Sequence, residues 1–159
     1  MRCIDSRPGA PLRSGAVVMN LLAIWTGRLS DQVGDAASAF LAPVVTAVLA
    51  DGVIDDGDLL LVETLLAANP LFEEATEAEL HRRILRVART VREHGAQAVR
   101  RQAGSILSPR LCDAALADAI RVIRANGALA GSARRLIDDL AAWLQAPPAR
   151  VAALIDAAA

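Results

Sequence analysis

The chain has no lysine and no tyrosine, and Trp25, Phe40, Phe72 and Trp143 are its whole aromatic supply. Basic stretches are therefore not interleaved with rings, which removes the stacking platforms that single-strand nucleic-acid binders use. With a net charge of −1 there is also no bulk attraction to nucleic acid or to an anionic membrane surface. That every basic residue is arginine reads first as the coding bias of a GC-rich genome. Cysteine is almost missing: Cys3 and Cys112 show neither CxxC nor metal-type spacing. This points to a reducing, cytoplasmic compartment more than to a disulfide framework. Cys112 falls on an apolar helical face and is expected in the core. His81 and His94 stand without partners at ligand spacing, so zinc is not expected. No run reaches the ~20 apolar residues a spanning helix needs. Neither a Gly-rich phosphate loop nor a nucleophile–base–acid set is visible, so the expectation is a protein that is not an enzyme.

What is present is organised around Ala50-Asp51-Gly52-Val53-Ile54-Asp55-Asp56-Gly57-Asp58. Before it, Phe40, Leu41, Val44, Val45 and Val48 recur at helical spacing. Gly52 follows the last periodic residue, where a chain leaving a helix often needs positive φ. Asp55 is a good N-cap, and Asp58 stands three residues on, where an acid suits the amides of a first turn. Leu61, Val62, Leu65 and Leu66 carry the next helix. The unit is helix, acidic turn, helix. A second copy lies 75 residues on, at Ala125-Asn126-Gly127-Ala128-Leu129-Ala130-Gly131-Ser132-Ala133. It keeps Ala, Gly and an apolar residue in register but replaces Asp51, Asp55 and Asp58 by Asn126, Ala130 and Ala133. Two copies predict a pseudo-symmetric bundle.

This pattern, Ala-Asp-Gly-x-Ile with an acid seven residues after the Asp, resembles the TerB-like family of bacterial tellurite-resistance proteins, a domain also found attached to a DnaJ-type co-chaperone. Asn69-Pro70-Leu71-Phe72 and the ending Leu140-Ala141-Ala142-Trp143-Leu144 add to the likeness, which covers residues 40–157. The resemblance implies a compact all-helical domain without known turnover, and an acidic metal-binding face used in stress response near the membrane. It carries over to Asp51 and Asp58; the second copy departs at both positions.

At 159 residues the chain is expected to form one domain over 19–159. Residues 1–18, with Pro8, Gly9, Pro11 and Gly15, have no periodicity and are expected to be disordered; Met19 is a candidate start. The apolar run Ala16 to Trp25 reads as a first helix on the bundle, with a shallow membrane-surface anchor as the other reading. Further on, Asn69-Pro70 stops a helix. Thr76 with Glu79 has capping-box spacing before Leu80, Ile84, Ala88 and Val91. Gly95 closes that helix, Ser108-Pro109 starts another carrying Leu116, Ile120 and Ile123, and Pro147-Pro148 introduces a short last one. No stretch alternates as a strand would. The predicted fold is an all-α bundle of about seven to eight helices, with units 40–68 and 112–144 as its halves. Phe40, Leu41, Val44, Val48, Leu65, Ile84, Val91, Leu116, Ile120, Ile123, Leu136 and Leu140 are its expected core.

Charge is segregated: every charged residue from Asp51 to Glu79 is acidic, and every one from Arg82 to Arg110 except Glu93 is basic. Arg82, Arg86 and Arg89 share one helical face. They read as a docking stripe for an acidic partner, or more plainly as a solvated face pairing with the protein's own acids. Two functions follow from these features. One is a TerB-like binding module with a low-affinity divalent cation, calcium or magnesium, held by Asp51, Asp55 and Asp58; here the plainer reading is that these acids only cap the turn. The spacing excludes an EF-hand, since position six is Asp56 and position twelve is Val62. The other is a metal-free interaction scaffold that docks proteins or the membrane surface through the Arg stripe or the N-terminal run.

Overall fold

Eleven consecutive residues, Ser38 to Val48, are buried, and the other helices are laid around them. The computed structural model describes residues 34–127, 129 and 131–158, with the backbone but not the side chain of Asp51. The expected disordered segment and the apolar run before Trp25 lie outside the described residues. The helices are α1 (Ala36–Val48), α2 (Asp56–Ala67), α3 (Glu77–His94), α4 (Ala96–Gly104), α5 (Pro109–Ala125), α6 (Ser132–Trp143) and α7 (Pro148–Ala157). Single 3-10 turns occur at Leu49–Asp51 and Pro70–Phe72, and no strand occurs among the described residues. The fold is an all-α bundle. No described helix is long and apolar enough to cross a membrane.

A helix that is apolar all round must be buried all round. α1 meets this condition by packing against α5, α3 and α4. It continues through Pro43, whose missing amide leaves the Ala39 carbonyl without its usual helical donor. An interior proline ordinarily costs a helix about 3 kcal/mol; burial of the whole element outweighs that here. The Thr46 hydroxyl donates back to the Ala42 carbonyl at 2.7 Å, so this buried polar group is satisfied inside the helix.

The ends are fixed by local side-chain and glycine chemistry, at Thr76, Gly95 and Ser108 as expected and at Asp35 besides. Asp35 caps α1 by accepting from the Ser38 amide at 2.9 Å and the Ser38 hydroxyl at 2.8 Å. Arg83 of α3 donates to both Asp35 and Ser38, tying the two helices together. Burial pushes the Asp35 carboxyl up, but these Ser38 bonds and the Arg83 guanidinium bring it below its ordinary value. Thr76 and Glu79 form the expected reciprocal capping box at the start of α3. Gly95 ends α3 at φ 80°, a region other residues avoid. Ser108 caps α5 with Pro109 in its first turn.

The sequence repeat has a structural counterpart. Shifting α1 by 75 residues gives 111–123, inside α5, and shifting α2 gives 131–142, over α6. Burial follows the same register: Phe40 with Ala115, Leu41 with Leu116, Val44 with Ala119, Val45 with Ile120 and Val48 with Ile123 are all buried. Two predicted core positions need correction. Leu65 and Leu136 are half-buried at the core's edge, while Val62, Leu66 and Ile137 are inside. The start of α2 turns Asp58 inward, so the buried row is 58, 62 and 66, and the consecutive leucines 59–61 had blurred that period.

Asp118 is the buried acid of α5, 5% exposed. Arg121 donates to it at 2.8 Å, and the Asn69 side chain at the end of α2 hydrogen-bonds it too. Burial nevertheless pushes its carboxyl above the ordinary value. A raised folded-state pKa gives stability that is full below the unfolded value and is lost as pH rises through the folded one. Asp118→Asn, which cannot ionise, should therefore melt higher than the parent at pH 7. The gap should close as both proteins are taken below pH ~4, where Asp itself becomes neutral. Thermal melts of the pair across that range check this, and a gap that widens on acidification would contradict it.

Candidate functional site

The acidic corner is assembled by its own backbone. Gly52 at φ 96° reverses the chain after the Leu49–Asp51 turn. Asp55, in extended conformation, then caps α2 by accepting from the Asp58 amide at 2.8 Å. Asp58 returns the bond, accepting from the Asp55 amide at 3.3 Å, and is 9% exposed. Its other oxygen accepts from the Asn126 side-chain amide at 3.2 Å. Asn126 is the counterpart of Asp51 in the second copy, so the two corners meet through one carboxylate. Three of the four oxygens of Asp55 and Asp58 thus already accept N–H groups. A cation there would have to share them. The side chain of Asp51 lies outside the described residues, and no group of three or more His, Cys, Asp or Glu placed for a metal occurs among those described.

The arginine stripe is on α3. Arg82, Arg86 and Arg89 are exposed, and Leu85, 40% exposed, lies between them on the same face. Arg83, one residue off this face, is the one drawn into the cap of α1. Glu73, Glu74 and Glu79 share a shallow groove with Arg82 and Arg86. The Thr76 amide and hydroxyl hold the Glu79 carboxyl below its ordinary value, with Arg82 and Arg83 adding to this. Yet no described carboxylate lies within ion-pair distance of Arg82, Arg86 or Arg89.

Sequence reasoning missed a third place. A groove of about 860 Å³ runs between α4, the start of α5 and the end of α6. Trp143 anchors it: its indole N–H donates to the Arg100 carbonyl at 2.9 Å. The Arg100 guanidinium lies 5.4 Å from the ring centroid, a cation–π distance. Its Nε is buried with no hydrogen-bond partner among the described residues. A buried unsatisfied donor costs about 1–3 kcal/mol, so this one calls for an explanation. Arg101, Arg110, Asp113 and Asp139 also line the groove, and Arg150 of α7 is paired with Asp113 at 3.0 Å.

The rim after α6 is held by bonds from Ala146 to Ala141 and from Gln145 to Ala142, which put Gln145 at φ 56°. That is a helix-ending turn normally given to glycine. Cys112 also lines this groove and is half-buried, which corrects its expected place in the core. It sits in the first turn of α5, where the helix's buried face has barely begun. Burial, then the Asp113 carboxylate, pushes its thiol up, away from reactive thiolate character. Residues 97–113 supply two walls and residues 139–147 the third, further along the chain; the one local signal was Trp143 in a chain so poor in aromatics.

No protein-family model, no curated protein and no solved structure matches this chain.

Proposed function

We propose that this is a non-enzymatic, cytoplasmic binding module of TerB-like type that docks an acidic partner protein through the outward face of α3. The observation that supports this reading is the stripe itself. Arg82, Arg86 and Arg89 are exposed, carry no ion pair with a described residue, and flank the exposed Leu85. Guanidinium forks match carboxylates in geometry, and an apolar residue among them suits the leucine side of an amphipathic acidic helix. A labelled Glu/Leu amphipathic helical peptide should bind, with affinity falling as salt rises. Replacing all three arginines by Gln should weaken binding by about tenfold or more while shifting stability by no more than about 0.5 kcal/mol, the range for surface changes. Equal binding by a Gln/Leu peptide, or by the triple variant, would remove the proposal.

A second reading rests on the reciprocal cap that holds the Asp55 and Asp58 carboxylates side by side, with one Asp55 oxygen accepting no N–H among the described bonds. In it the module holds a divalent cation, calcium or magnesium, with Asp51, Asp55 and Asp58 as ligands and a stress-response role. With so few carboxylates the affinity belongs in the ~10⁻⁴–10⁻³ M range. Calorimetry should then show low-affinity binding that Asp51→Asn abolishes. Binding that survives this change would remove Asp51 from the site.

A further inference from the structure

We infer that the groove between α4, α5 and α6 is a binding site for a small organic carboxylate with a planar apolar body. Its volume, about 860 Å³, is that of a small-molecule site. Its charge is unbalanced in favour of an anion. Arg100, Arg101 and Arg110 line it, while the charge of Asp113 is matched by Arg150, leaving Asp139 as the opposing acid. Leu107, Leu144 and Trp143 supply the apolar surface.

Arg100 is the residue that points to a ligand. Its guanidinium rests on the indole without an acceptor for Nε and without an ion pair among the described residues. An anion drawing it toward the groove would gain a charge-assisted hydrogen bond that the protein alone does not make. Trp143 is fixed independently by its bond to the Arg100 carbonyl, so the flat wall stays while the cation swings. The fixed turn at Gln145 pre-sets the rim, which lowers the ordering cost of binding.

The test uses the ¹⁵N-labelled 159-residue chain titrated with 2-naphthoate. The Trp143 indole N–H resonance, assigned with Trp143→Phe, should shift saturably. 2-Naphthalenemethanol, the neutral analogue, and inorganic phosphate should each bind about tenfold more weakly or worse, since one lacks the charge and the other the apolar body. Arg100→Gln should lose most of the affinity. Because Arg100 also packs on Trp143, two milder variants guard against misfolding. Arg110→Gln changes an exposed side chain. Gly104→Ala places a methyl 3.8 Å from the Trp143 indole nitrogen, inside the groove, and should raise the melting point because Ala is the better helix former. Both should weaken naphthoate binding, whereas the α3 triple-Gln variant should bind it as the parent does. Naphthalenemethanol binding as tightly as naphthoate, or undiminished binding in both Arg110→Gln and Gly104→Ala, would overturn the assignment.

Discussion

Ile120→Ala should lower stability by about 2–5 kcal/mol, and Phe40→Ala by about 3–5 kcal/mol, the scale of core truncations that leave a cavity. Ile120 and Phe40 are both fully buried, on α5 and α1, the two helices that make the most extensive contact in the bundle. Neither side chain borders solvent, so neither cavity can collapse by a surface loop moving in. Phe40 also has its edge-to-face partner Phe72, at 5.8 Å between ring centres, and truncation removes that contact as well. A loss of this size should drop the melting temperature by roughly 10 °C or more in a domain of this length. Leu65→Ala is the internal control: Leu65 is only half-buried, so its truncation should cost distinctly less. If Leu65→Ala cost as much as Ile120→Ala, the buried face of α2 would be the one its sequence suggested instead of the row through Val62 and Leu66.

That comparison bears on what could be read in advance. α1 was legible because nothing in 37–49 except Ser38 and Thr46 is polar, and an unbroken apolar helix has only one place to go. The caps at Asp55, Thr76 and Ser108 were legible because short polar side chains bond amides two or three residues on, a purely local geometry. α2 was harder: Leu59, Leu60, Leu61 and Val62 are all apolar, so a one-residue rotation of the buried face costs the pattern nothing. What decided it was Asp58 turning inward to Asn126, a contact spanning 68 residues. The groove was out of reach for the same reason, since Arg100, Cys112 and Trp143 become neighbours only once α4, α5 and α6 have packed. The arginine stripe lies between these cases. Its spacing placed three guanidiniums on one face, but only the structure separates them from Arg83, one position off, which caps α1.

Asp58→Ala should cost about 2–3 kcal/mol, more than the ~1 kcal/mol expected for Asp55→Ala, although both remove one half of the same capping box. Asp55→Ala deletes an exposed cap, and water can replace it at the Asp58 amide. Asp58→Ala deletes an acceptor that is 9% exposed and serves two donors, the Asp55 amide and the Asn126 side chain. Both donors lose their partner at once, and the first turn of α2 loses an acid that opposes its dipole. The two corners would also lose this hydrogen bond between them, so the second copy should feel a change made in the first. A double-mutant cycle with Asn126→Ala isolates that link. If Asp58 and Asn126 bond across the bundle, the cycle should return a coupling of about 0.5–1.5 kcal/mol. The same cycle with Asp55 in place of Asp58 should return close to none, because no bond joins Asp55 to Asn126 among those the structure describes. Equal costs for the two aspartates, together with no coupling, would mean that the corners fold as independent turns. The two copies would then be held together by α5 packing on α1 and α2, and by the Asn69–Asp118 bond, with no link between the corners.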